Sequence, residues 1–242
     1  MGITEKRELE FRLKDGNCRL QAVRDNIIRC SFTKKEEWRE ESPVGISCST
    51  EGDFAVEEDG GRVRARTGEI LLEADQRDGS FCWMDAADGH VLLREGRKEL
   101  TEAPYMVYNT GGEKPVIHRV QTVDGERNFV KNLRAVEDHK AYHAKLSFQW
   151  APDEHIHGLG QGEEGIYDYR GNIQYLYQHN MRIPVPFFVS DKGYGVLVDC
   201  GSLMTFNDDC RGSWLYLDMV EQLDYYFIKG DSLDEIIAGY RF

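Results

Sequence analysis

The chain has 242 residues, 40 % of them hydrophobic, with 43 acidic residues against 30 basic ones for a formal net charge of −13. That length suits one large all-β domain or two small ones and can enclose a substantial core. Negative charge spread along the chain repels phosphate backbones and anionic headgroups, which argues against nucleic acid and membrane as partners.

The first residues include Glu5, Lys6, Arg7, Glu8 and Glu10, with no apolar run long enough for a signal peptide or a membrane span. The expected setting is soluble and cytoplasmic. Cysteines at Cys18, Cys30, Cys48, Cys82, Cys200 and Cys210 are scattered without a C-x-x-C pair, the pattern of reduced structural thiols. Asp-Gly or Gly-Gly steps recur at 15–16, 59–61, 78–79, 88–89, 111–112 and 124–125, a spacing suited to hairpins and meanders. Val63-Arg64-Ala65-Arg66 alternates between them. Trp83-Met84-Asp85 presents an aspartate after apolar residues, but Ala86-Ala87-Asp88-Gly89 follows and marks a hairpin turn. Tyr142, Ala144, Leu146, Phe148 and Trp150 share one parity against His143, Lys145, Ser147 and Gln149, which predicts a half-buried strand. Many short strands separated by turns predict an all-β fold, a β-sandwich.

His139 and His143 would align on a helix, but the alternation makes this region a strand, where they stand roughly 13 Å apart. His155-Ile156-His157 puts two imidazoles on one face of an extended segment, with no third ligand nearby. Solvated or hydrogen-bonded histidines are the expectation, with no metal and no cofactor. Gly160-Gln161-Gly162-Glu163-Glu164-Gly165 satisfies G-x-G-x-x-G, the dinucleotide pattern. Two glutamates in that turn would repel pyrophosphate, and residues 166–172 read as a loop where a helix is required. Glu163 and Glu164 would face opposite sides of a strand, and nothing around them separates an acid from a base. Tyr167, Tyr169, Tyr175 and Tyr177 with Gln178, His179 and Asn180 form a polar-aromatic cluster. Aromatic faces stack on pyranose C–H surfaces while amides and imidazoles pair with hydroxyls; ordinary strand tyrosines are the alternative.

Pro186-Phe187-Phe188-Val189-Ser190 and Tyr194-Gly195-Val196-Leu197-Val198 flank Asp191-Lys192-Gly193, a predicted hairpin with both strands inside. Ser232-Leu233-Asp234-Glu235 fits a capping box, followed by Ile236, Ile237 and Tyr240 on one face of a short C-terminal helix. An amphipathic helix beside the terminus at Phe242 points to a longer natural chain. With no repeat, low-complexity tract or linker, residues 1–242 read as a single domain.

In order and spacing, Gly158-Leu159-Gly160-Gln161, Arg170-Gly171-Asn172, the Pro186 and Tyr194 runs and Leu223-Asp224-Tyr225-Tyr226-Phe227-Ile228 resemble the N-terminal region of family 31 glycoside hydrolases. These include α-glucosidases and α-xylosidases. The resemblance covers residues 158–242 and, more weakly, 28–46 and 70–93. It implies a galactose-mutarotase-like β-sandwich (supersandwich) followed, after residue 242, by a catalytic (β/α)8 barrel. Ile236 to Phe242 matches the helix before that barrel. The family's nucleophile motif, Asp followed by Met-Asn-Glu, is absent from these residues, so no catalytic residue is assigned and the fragment is expected to be inactive alone. In the family a loop leading into the Pro-Phe strand leans over the barrel mouth. It maps here to a short stretch, Tyr177 to Met181, which makes Tyr177, Gln178, His179 and Asn180 the substrate-binding candidates. Gln161 stands where many members have Glu.

The implied function is the N-terminal domain of a retaining exo-α-glycosidase, α-glucosidase first and α-xylosidase or transglucosidase next. Its partners would be an α-linked oligosaccharide and its own barrel. The competing classes are a free-standing carbohydrate-binding β-sandwich and an aldose mutarotase or epimerase, whose His and Glu motifs match no position.

Overall fold

A computed structural model describes residues 5–47 and 49–242, which leaves Cys48 outside the described residues. The strands are β1 (Glu5–Lys6), β2 (Glu8–Leu13), β3 (Gly16–Arg24), β4 (Ile27–Thr33), β5 (Phe54–Asp59), β6 (Arg62–Arg66), β7 (Ile70–Asp75), β8 (Phe81–Asp85), β9 (Val91–Asn109) and β10 (Ile117–Thr122). They continue with β11 (Gly125–Val130), β12 (Arg134–Gln149), β13 (Ile156–Gln161), β14 (Ile173–Leu176), β15 (Ile183–Ser190), β16 (Tyr194–Val198), β17 (Met204–Asp209), β18 (Gly212–Val220) and β19 (Leu223–Lys229). One helix, α1 (Leu233–Tyr240), follows.

A ten-stranded sheet, ordered β1-β5-β6-β7-β8-β9-β12-β18-β17-β14, faces a seven-stranded sheet, ordered β13-β15-β16-β19-β4-β3-β2; β10 and β11 form a separate pair. Every pairing is antiparallel, as the predicted all-β sandwich requires. The Asp-Gly and Gly-Gly steps at 15–16, 59–61, 78–79, 88–89 and 124–125 join paired neighbours. The step at 111–112 differs: it leads from β9 into β10, whose partners are other strands. Strand β12 carries the predicted alternation, with Ala144, Leu146 and Phe148 buried, but it begins at Arg134 because β9 and β12 continue together beyond the sandwich.

Large apolar side chains from both sheets meet in the core, where Trp83 stacks on Phe227 with centroids 4.2 Å apart and planes 5° apart. Buried among them, Glu95 accepts hydrogen bonds from Trp83 Nε1 and Tyr225 Oη, both at 2.6 Å. Lys98 Nζ lies 2.8 Å from Oε2, the oxygen to which Tyr225 donates, and over the Phe81 ring. A buried carboxylate needs such partners, since its desolvation otherwise costs several kcal/mol. The described cysteines are free thiols; Cys18 and Cys30 sit with Sγ atoms 3.9 Å apart, and burial pushes the Cys18 thiol up.

The outer face of the seven-stranded sheet holds a second, smaller core made by Val23, Ile27, Phe187, Leu197, Tyr226, Ile228 and Ile236 with its neighbours. Strands β16 and β19 are consequently buried on both faces. Ser232 caps α1 by accepting from Glu235 N, as expected. The Glu235 carboxylate reaches one residue further back, to Asp231 N at 2.8 Å. The helix's apolar face is narrower than predicted: Ile236 is buried and Tyr240 stacks on Phe187, but Ile237 is exposed.

Candidate functional site

The Gly158-Leu159-Gly160 stretch lies inside β13, where the register with β15 shifts between Gly158 and Gly160. All three residues have positive φ, 103°, 59° and 89°. A Cβ on Gly160 would overlap the Ile183 carbonyl oxygen, and one on Gly158 would sit 2.6 Å from the Phe187 carbonyl oxygen. These glycines form a strand bulge against β15, not the tight turn that their spacing resembles. No helix follows, in keeping with the rejection of a nucleotide loop; residues 162–172 run as irregular chain.

That loop is fastened by Arg170-Gly171-Asn172. Arg170 Nε and Gly171 N both donate to Asp208 Oδ2, at 3.1 and 2.6 Å, while Arg170 Nη1 donates to the Ala151 and Glu154 carbonyls. Trp150 Nε1 donates to the other oxygen of Asp208 at 3.1 Å. The motif's work is to hold loop to sheet. His155 Nδ1 lies 2.6 Å from Asp168 Oδ2, and that hydrogen bond, with the charge behind it, raises the imidazole pKa. His157 Nδ1 donates to the Tyr167 carbonyl at 2.7 Å. Both histidines are thus hydrogen-bonded, as expected. Among the described residues no group of three His, Cys, Asp or Glu is placed to hold a metal ion.

The tyrosine cluster divides. Tyr169 is a core residue, packed edge-on to Phe206 with centroids 6.1 Å apart, and burial raises its phenol pKa. Burial thus separates it from the other members of the polar-aromatic cluster, in line with the alternative of an ordinary packed tyrosine. Tyr167, 82 % exposed, leans on His157. Tyr175, Tyr177 and His179 form an exposed ladder: Tyr177 stacks near Tyr175 at 6.0 Å and 23°, and His179 continues it at 6.0 Å and 33°.

Tyr177, Gln178, His179 and Asn180 all lie on the loop between β14 and β15. Gln178 Nε2 donates to the Arg182 carbonyl at 2.9 Å, Arg182 N donates to the His179 carbonyl at 3.0 Å, and Met181 takes φ 63°. The Arg182 guanidinium pairs with Glu164, one of the two adjacent glutamates, and so ties this loop to the loop after β13. Sequence reading missed that tie, because the two residues are distant in the chain and carry no shared pattern.

Two cavities flank the loop. One, of about 530 Å³, is lined by Gln161 together with Gln178, His179, Asn180, Met181 and Arg182. The other, of about 660 Å³, is largely apolar, with Val44, Pro184, Pro186, Leu203 and Tyr240 around Tyr177 and Gln178. Gln178 borders both. Gln161, which the sequence singled out without a role, is brought to the candidate residues by the end of the bulged strand. Aromatic faces beside amides and an imidazole suit a hydroxyl-rich ligand.

No protein-family model matches the chain. An α-xylosidase of Saccharolobus solfataricus is 35 % identical over 120 residues, covering 46 % of this chain and 16 % of the relative. An uncharacterized family 31 glucosidase of Pseudescherichia vulneris is 28 % identical over 99 residues, 41 % of this chain and 19 % of the relative. The crystal structure of a family 31 α-xylosidase from Xanthomonas citri superposes with a TM-score of 0.74 at 16 % identity, over 97 % of this chain and 39 % of that one. The matched parts thus span less than half of each relative. The resemblance to the N-terminal region of family 31 glycoside hydrolases holds at the level of sequence with the first two and of fold with the third.

Proposed function

We propose that this chain is the N-terminal β-sandwich of a retaining exo-α-glycosidase, followed after residue 242 by a (β/α)8 barrel that supplies the catalytic carboxylates. The observation that carries this reading is the Tyr177–Asn180 loop, which gathers a stacking ring, two amides and an imidazole between two cavities. In the assembled enzyme the loop forms one wall of the sugar site. Tyr177 presents a ring to pyranose C–H groups; Gln178, His179 and Asn180 pair with hydroxyls. The reacting bond is protonated and attacked from the barrel, and the sandwich contributes position.

The family resemblance implies an α-glucoside first as substrate. The named relatives include both an α-xylosidase and a glucosidase, which supports testing α-xylosides beside it. Turnover of aryl α-glucoside and aryl α-xyloside by the full-length polypeptide, with none by residues 1–242 alone, is the expected result. Hydrolysis by residues 1–242 alone would overturn the reading. In the full-length polypeptide, Tyr177→Ala and His179→Ala should each raise KM by about tenfold with kcat little changed, as loss of ground-state contacts predicts. Unchanged KM in both removes the loop from the site. Tight binding of maltose or isomaltose by residues 1–242 alone, measured by calorimetry, would favour a free-standing binding module.

A further inference from the structure

Gln161 is the last residue of β13 and stands opposite Ile183, the first residue of β15. The register shift puts it there. Gly158 opposes Phe188, and continuing that register would set Gln161 against Val185. The shift moves its partner two residues toward the start of β15, roughly 7 Å nearer the loop that enters this strand. Close approach of β15 at Gly158 and Gly160, where a Cβ would meet backbone oxygen, holds the two strands in this arrangement.

The Gln161 side chain is exposed, and among the described residues neither end of its amide has a hydrogen-bond partner. Gln178, across the same cavity of about 530 Å³, has its Nε2 taken by the Arg182 carbonyl. The mounting differs as well: Tyr177 to Asn180 lie on irregular chain, whereas Gln161 ends a paired strand. Three residues on, Glu164 pairs with the Arg182 guanidinium at the cavity's edge. The wall therefore offers amides, an imidazole and a cation already matched by a carboxylate, which suits hydroxyls better than phosphate or carboxylate groups.

We propose that Gln161 is a fifth sugar-contact residue, its amide donating to one hydroxyl of the bound glycoside and accepting from the adjacent one. This rests on the reading of the Tyr177–Asn180 loop as one wall of the sugar site. Adjacent pyranose hydroxyls supply the acceptor and the donor that a carboxamide needs. A side chain on a paired strand is held more firmly than one on a loop, so this contact fixes which hydroxyls the site selects while the loop adapts around them.

The test compares wild type, Gln161→Leu and Tyr177→Ala in the full-length polypeptide, with aryl α-glucoside, aryl α-xyloside and the monodeoxy derivatives of each. Leucine retains most of the bulk and removes both hydrogen bonds; at an exposed position the urea midpoint should not move. KM for the preferred glycoside should rise about fivefold in Gln161→Leu with kcat little changed. One deoxy position, or two adjacent ones, should cost wild type about fivefold in kcat/KM and cost the variant nothing more, a coupling that a purely structural effect does not produce. An unchanged KM, or deoxy losses that are the same in wild type and variant at every position, overturns the inference. If Tyr177→Ala raises KM while Gln161→Leu does not, the contact fails and the loop keeps its place; if neither raises it, the loop falls as well.

Discussion

His155 owes its raised basicity first to the hydrogen bond with Asp168, 2.6 Å away, and then to that residue's charge. A folded-state pKa above the unfolded one means that the contribution to stability is complete below the ordinary histidine value, about 6.5, and is lost as pH rises through the raised value. Nuclear magnetic resonance titration should therefore find the His155 midpoint above 6.5, and Asp168→Asn should bring it down. A wild-type midpoint at the ordinary value would mean the pair does not form in solution. At this scale the sequence was a mixed guide. Tyr169 and Tyr175 look alike as letters, yet Tyr169 is drawn inside because its backbone N–H bonds the Ile156 carbonyl at 2.8 Å, while Tyr175 sits on β14 facing out. No periodicity signals such a loop contact.

Among elements, hairpins with Asp-Gly or Gly-Gly turns and the capped helix were legible, because turn chemistry and caps are local. The β13 bulge was not: its glycines match a turn pattern, and only the neighbouring strand reveals why side chains are barred. Gly160→Ala combines a disfavoured φ with a collision against backbone on β15, for which a loss of roughly 3 kcal/mol in urea unfolding is expected. Gly165→Ala, also at positive φ but with open space around it, should lose only about 1 kcal/mol. Equal losses would show that backbone conformation alone, and not the close approach to β15, decides the position. The same approach locates Gln161 beside the candidate loop.

For the whole molecule, composition and alternation sufficed for an all-β sandwich, but the strand order could not be read. Phe227 pairs with Ile28 and Leu146 with Leu215, and no local pattern encodes partners so distant in the chain. Nor did Glu95 and Lys98 announce themselves, since charged residues on strands ordinarily face water. Glu95 joins the two sheets by accepting from Trp83 on β8 and Tyr225 on β19. Glu95→Ala strands the Lys98 charge and two donors in the core and should cost about 3–5 kcal/mol, whereas Glu95→Met with Lys98→Met removes the stranded charge, still orphans the Trp83 and Tyr225 donors, and should recover only part of that loss. Denaturant midpoints distinguish these. If the double variant loses as much as the single, the stranded Lys98 charge is not what makes the single variant costly.

Strands β16 and β19, covered by the main core on one side and by α1 and its neighbours on the other, have no face turned to solvent. Their amide hydrogens can reach deuterium only when the domain opens as a whole, while those of the ribbon that β9 and β12 extend beyond the sandwich need no opening larger than the loss of a single rung. The molecule thus carries a gradient of lability from centre to ribbon. A protease could trim the ribbon and leave the sandwich, with the Tyr177–Asn180 loop still mounted on it, intact.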